Sequence, residues 1–184
     1  MHLPKLVKDI KNAFAKADTI SLKDLADLSV KNAVLLDSST FAEISSIAYA
    51  LYKILTKRHI VESGLWKKAK KAILDALENA RIHAEEQKEK LFLEDLKKVT
   101  SNIYEIDEKL GHYVQNLLDK SRIKQASAAY AYGASLSKAA SLFNVLKKDL
   151  QEYIGKTTLH DEIKEKFTIG DRLKRLKKLL GERN

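Results

Sequence analysis

The chain has 184 residues, 45% of them apolar, which is enough to build a core for one domain or two small ones. One proline, six glycines and 7% aromatics leave few turn-makers and few β-formers, so sheet is excluded and an all-α, multi-helix bundle is expected. The 34 basic and 25 acidic residues give a net charge of +9, which favours anionic partners, while the absence of cysteine excludes disulfides and thiolate metal sites and fits a reducing compartment.

Met1 is followed by a charged amphipathic stretch with neither the apolar run nor the small-residue cleavage site of a secretory signal. No segment reaches the 18 or so apolar residues of a membrane span, so a cytoplasmic, non-membrane protein is expected. Residues 4 to 17 place Leu3, Leu6, Val7, Ile10 and Phe14 at helical spacing, with Pro4 in the first turn. Ser21, with Asp24 three residues on, has the spacing of a capping box for a second helix bearing Leu22, Leu25, Leu28, Val30, Val34 and Leu35. Asp37, Ser38 and Ser39 end it.

From Thr40, a run nearly free of charge carries Phe41, Ile44, Ile47, Ala48, Leu51 and Leu55 on one face and predicts the most buried helix. After the Ser63-Gly64 break, a long helix from Leu65 to about Glu89 has the stripe Leu65, Ala69, Ala72, Ile73, Ala76, Leu77 and Ala80. Residues 90 to 119 repeat the theme as one helix or two, through Leu91, Leu93, Leu96, Val99, Ile103, Ile106, Leu110, Val114, Leu117 and Leu118. An alanine- and tyrosine-rich helix from Ile123 to Tyr132 stops at Gly133. Two short segments and a basic C-terminal helix follow.

The stretch from Leu136 to Ile154, LSKAASLFNVLKKDLQEYI, carries paired alanines and an apolar wedge of Phe143, Val145, Leu150 and Tyr153. Two helices that cross steeply leave room only for a small residue where they touch, and Ala140 occupies that position. The stretch resembles the helix-turn-helix DNA-binding motif, in its transcription-factor and Fis-like forms. In that family the turn residue is usually glycine in a left-handed conformation; here it is Asn144, the next most tolerated type. Ser135 or Ser137 caps the first helix, and the helix before Gly133 supplies a third.

The resemblance implies that Leu146 to Tyr153 is a recognition helix whose leading end enters the major groove. Lys147 and Lys148 would then reach base edges or phosphates, with Gln151 and Glu152 one turn on: Lys donates to guanine, Gln pairs with adenine and Glu accepts from cytosine. Ser137 and Lys138 would face the phosphate backbone. The segment from Gly170 adds Arg172, Lys174, Arg175, Lys177 and Lys178 beside Leu173, Leu176, Leu179 and Leu180, a cationic face after the motif. A solvated helix end explains that face equally well, and Lys and Glu enrichment is also the surface pattern of hyperthermophile proteins.

Catalytic and metal readings find little. The histidines His2, His59, His83, His112 and His160 are scattered singly, Gly155-Lys156-Thr157 lacks the rest of a phosphate-binding loop, and no arginine precedes a histidine by the five residues of all-helical nucleases. No cofactor, metal or enzyme activity is expected. In style the remainder resembles archaeal helical proteins. The expected division is a helical region over 1–119, for dimerisation or partner binding, and a helix-turn-helix-like unit over 120–184. The expected function is DNA binding by a homodimeric regulator or antitoxin-like protein. The alternative is a helical adaptor that presents the 65–119 stripe to another protein.

Overall fold

A computed structural model describes residues 2–109 and 117–157, with Gly170, Asp171 and Leu173. Every regular element among the described residues is a helix: α1 (Leu3–Ala15), α2 (Thr19–Leu36), α3 (Ser39–Leu55), α4 (Arg58–Val61), α5 (Trp66–Glu85), α6 (Glu89–Lys109), α7 (Leu117–Ala131), α8 (Leu136–Leu142) and α9 (Lys147–Gly155). The all-helical expectation holds. None of these helices is long and apolar enough to cross a membrane.

The helix boundaries follow a shared physical device. α1, α2, α5, α7 and α8 each end in a residue with positive φ, namely Ala17, Asp37, Gln87, Gly133 and Asn144. In each case the next N–H reaches back to a carbonyl five residues earlier, as in Asp18 N–H to Ala13 O at 2.8 Å and Lys88 N–H to His83 O at 2.9 Å. This is the Schellman arrangement, which satisfies carbonyls that the helix end would otherwise leave unpaired. Only Gly133 adopts the left-handed conformation without a Cβ penalty, which is roughly 1–2 kcal/mol at the other four. Despite that penalty, and with no glycine or proline near it, Gln87 divides α5 from α6, so α5 ends at Glu85 rather than near Glu89 as expected.

The start of α2 also differs from the expected capping box. Asp18, rather than Ser21, caps the helix: its carboxylate accepts the Ser21 N–H at 3.0 Å and the Ser21 hydroxyl at 2.7 Å. The Ser21 hydroxyl, then its N–H, hold the Asp18 carboxyl below its usual range. The Schellman turn at Ala17 delivers Asp18 to that position, and Ser21 falls inside the first turn.

The described chain forms two compact units, one of Met1–Ala26 and Ser46–Ser121 and a second of Asp27–Ser45 with the chain from Arg122 onward. In the first, α5 and α6 turn back on each other through Glu86, Gln87 and Lys88, and α1 lies against α5. Leu6, Ile10 and Phe14 of α1, Ile73, Leu77 and Ala80 of α5, and Leu96, Val99 and Ile103 of α6 are buried there. Phe14 meets the Trp66 ring edge-on at 5.9 Å. On α6 it is Phe92 that is buried, whereas Leu91 and Leu93, expected in the stripe, are exposed. Three consecutive apolar residues cannot share one face at 100° per residue, and the bulkiest takes the core. Ile54 is likewise buried in place of Leu55, while on α2 the larger Leu28 is exposed beside buried Ser29 and Val30, so there the phase of the helix rather than bulk sets the inward face.

Asp95 of α6 is buried, yet its two oxygens are satisfied: one bonds His83 Nδ1 at 2.6 Å and the other accepts from Lys98 Nζ at 2.6 Å. On the α1 side of α5, Glu78 accepts from Arg81 and from Lys11, each at 2.6 Å. Arg81 first, and then Lys11, lower the Glu78 pKa from 4.5 to about 2. A carboxyl whose folded pKa is depressed contributes stability above its unfolded pKa, and that contribution is lost as pH falls from about 4.5 towards 2. The Glu78 side chain is 35% exposed, so screening reduces the effect to about 1 kcal/mol. Glu78→Gln is expected to lower stability by about that amount at neutral pH. The difference from the parent should vanish towards pH 2, as urea unfolding at the two pH values will measure.

The second unit buries large apolar residues, among them Val30, Phe41, Ile44, Phe143 and Leu150, together with small and polar residues of α7. Five successive residues of α7, Gln125 to Ala129, are buried, which is more than a full turn, so this stretch is enclosed on all sides. Of its polar members, Gln125 accepts from the Ser45 hydroxyl at 3.2 Å, whereas the buried Ser127 hydroxyl has no hydrogen-bond partner; one turn earlier, Arg122 Nη2 donates to both oxygens of Glu43, at 3.1 and 3.3 Å. Lys31 lies over the Tyr132 ring at 5.3 Å.

Candidate nucleic-acid interface

The candidate interface is the segment from Gly133 to Lys156, which lies wholly in the second unit. After the Gly133 turn, Ser135 adopts an extended conformation and its hydroxyl accepts the Lys138 N–H at 3.2 Å. Of the two serines offered for this cap, Ser135 is therefore the one that acts, and Ser137 is exposed inside the first turn. α8 buries Ala139, Ala140 and Leu142, with Phe143 buried just after it.

The turn runs through Asn144 at φ +50°, where Val145 N–H bonds the Ala140 carbonyl at 3.0 Å. Leu146 then extends the chain (φ −68°, ψ 132°) and begins α9, whose first turn has no side-chain cap. α8 and α9 pack on each other.

α9 is divided by its periodicity. Leu150 is fully buried, and Tyr153 and Ile154, three and four residues on, are half-buried. Burial raises the pKa of the Tyr153 hydroxyl. Lys147 and Gln151 form one i, i+4 row and Lys148 and Glu152 the next, and all four side chains are exposed. The structure thus brings these four together on one solvent-facing strip. Glu152 also pairs with Lys156 at 2.5 Å, which holds its carboxyl below the usual range.

Lys138 stands apart from that strip, in an ion pair with Asp37. Sequence reading missed Asp37 as a partner because no local pattern links two residues a hundred positions apart. The pairing arises only when the 27–45 segment joins α8 in one unit. Of the basic C-terminal segment, Arg172, Lys174, Arg175, Lys177 and Lys178 lie outside the described residues, while Leu173 is described and exposed.

The uncapped N–H groups of the first turn of α9, with Lys147 and Lys148 beside them, create a local positive potential, partly offset by Asp149 in the same turn. Chemically, such a strip can donate to phosphate oxygens or to base-edge acceptors, and Glu152 can accept. Among the described residues no group of three or more His, Asp or Glu is arranged to hold a metal ion. Comparison with protein-family models, with curated proteins and with solved structures finds no match to this chain.

Proposed function

We propose that this protein binds double-stranded DNA through α9, as a homodimeric regulator or antitoxin-like protein of the cytoplasm, in which residues 136–154 act as a helix-turn-helix. The observation that carries the reading is the α9 strip: Lys147, Lys148, Gln151 and Glu152 are exposed together while Leu150, on the opposite side, is fully buried. The left-handed Asn144 and the buried Ala140 are the features the motif needs at those positions. In this reading α9 enters the major groove by its N-terminal end, Ser137 approaches a phosphate, and Lys138 exchanges the Asp37 carboxylate for one. Residues 1–119 supply the dimer contact or a surface for a second protein.

The test is a salt series of binding to mixed genomic duplexes, with the parent and the Lys147→Ala/Lys148→Ala double variant. Counterion release makes the logarithm of affinity fall linearly with that of salt, with a slope of about 0.9 per phosphate neutralised. The double variant is expected to fold normally and to bind with a slope shallower by about two units if both lysines contact phosphate. A lysine that reads a base edge would instead cost roughly 1–3 kcal/mol at one sequence position. A parent without salt-dependent binding would leave the adaptor reading in its place.

A further inference from the structure

Asp37 carries a charge that neither helix beside it uses. It stands between α2 and α3 at φ +54°, a conformation that glycine or asparagine adopts more readily. Backbone closes the end of α2, through Ser38 N–H to Ala33 O at 3.1 Å, and the Ser38 hydroxyl caps α3 by accepting the Phe41 N–H at 3.4 Å. The negative end of the α2 dipole disfavours a carboxylate here and the positive end of α3 favours one, so the two effects oppose each other. Among the described residues, the partner of the Asp37 carboxylate is Lys138 of α8. The pair is open to solvent, with side chains 62% and 42% exposed. It can also separate without disturbing α8, because the Ser135 cap is made with the backbone N–H of Lys138 and not with its ammonium group. Carboxylate and phosphate are alternative partners for one ammonium group. A duplex that takes Lys138 must therefore open the pair and bring its own negative charge up to Asp37.

We infer that Asp37 is an autoinhibitory residue: in the free protein its carboxylate occupies the place of a DNA phosphate on Lys138, and so holds the affinity for duplex below what the cationic side chains would give. The inference rests on the DNA-binding reading above.

The test is a double-mutant cycle on the full-length protein, with Asp37→Asn, Lys138→Ala and the two combined, each carried through the salt series on mixed genomic duplexes. Asparagine tolerates the left-handed turn and removes only the charge, so circular dichroism should match the parent's. Asp37→Gly, which suits the turn still better, should bind as Asp37→Asn does. Asp37→Asn is expected to bind more tightly than the parent, and Lys138→Ala more weakly, with a salt slope shallower by about one unit. Removing a negative charge favours DNA in any background, so the decisive quantity is a difference. Asp37→Asn should strengthen the parent about two- to fivefold more than it strengthens the Lys138→Ala protein, the range of an exposed ion pair. Equal gains in the two backgrounds, or a Lys138→Ala protein that binds as the parent does, would overturn the competition and leave DNA binding standing. A parent without salt-dependent binding would overturn both.

Discussion

Replacing Ala140 by glutamate is expected to unfold the α8–α9 pair and, with it, to abolish DNA binding. Ala140 is buried, its carbonyl accepts the Val145 N–H that closes the turn, and α8 and α9 are in contact around it. A carboxylate introduced at this buried position must leave water, so the expected destabilisation is about 3–5 kcal/mol, the range for an uncompensated buried charge. Amide hydrogen exchange reads this locally. Protection should be lost over α8 and α9 and kept over the buried residues of α5 and α6, such as Ile73 and Ile103. Protection retained through α8 and α9 would show that the crossing tolerates a charge, and the steep helix packing assigned to Ala140 would be withdrawn.

Phe14→Ala should produce a loss of similar size in the first unit, about 3–5 kcal/mol. Phe14 is fully buried and its ring meets Trp66 in an edge-to-face pair, with an interplanar angle of 85°. Deleting the ring removes both the transfer free energy and the aromatic pairing with Trp66 and leaves a cavity. Trp66 is the only tryptophan of the chain, so its fluorescence reports on the partner directly. The variant should show a lower urea midpoint and an altered native emission spectrum. A change below about 1 kcal/mol would mean that this cavity is filled by rearrangement, contrary to the close packing expected of such a core.

The candidate interface was legible in unequal parts. Exposure of Lys147, Lys148, Gln151 and Glu152 follows from their 3.6-residue relation to Leu150, and periodicity is a local property of the sequence. The left-handed Asn144 was legible too, because few side chains tolerate that conformation and the position falls between two apolar runs. Asp37 opposite Lys138 was not, since ion pairing across long sequence separations depends on which segments meet. The same holds for Arg122 with Glu43 and for Ser45 with Gln125, the second of which gives the buried Gln125 amide of α7 its partner.

Composition and hydrophobic period by themselves determined that the chain is helical, where most of its helices run, and which face of α1, α5 and α9 turns inward, because these depend on residues at most four positions apart. Where several apolar residues competed, as at Leu91, Phe92 and Leu93, local pattern could not choose, and packing against neighbouring helices selected Phe92. Tertiary structure likewise decided the helix ends at Ala17 and Gln87, where residues without glycine's freedom hold a positive φ. It also decided that 27–45 and the chain from Arg122 share one unit. The left-handed conformation is costly for such residues, and only the hydrogen bonds and burial gained once the following helix folds back make it the lower state.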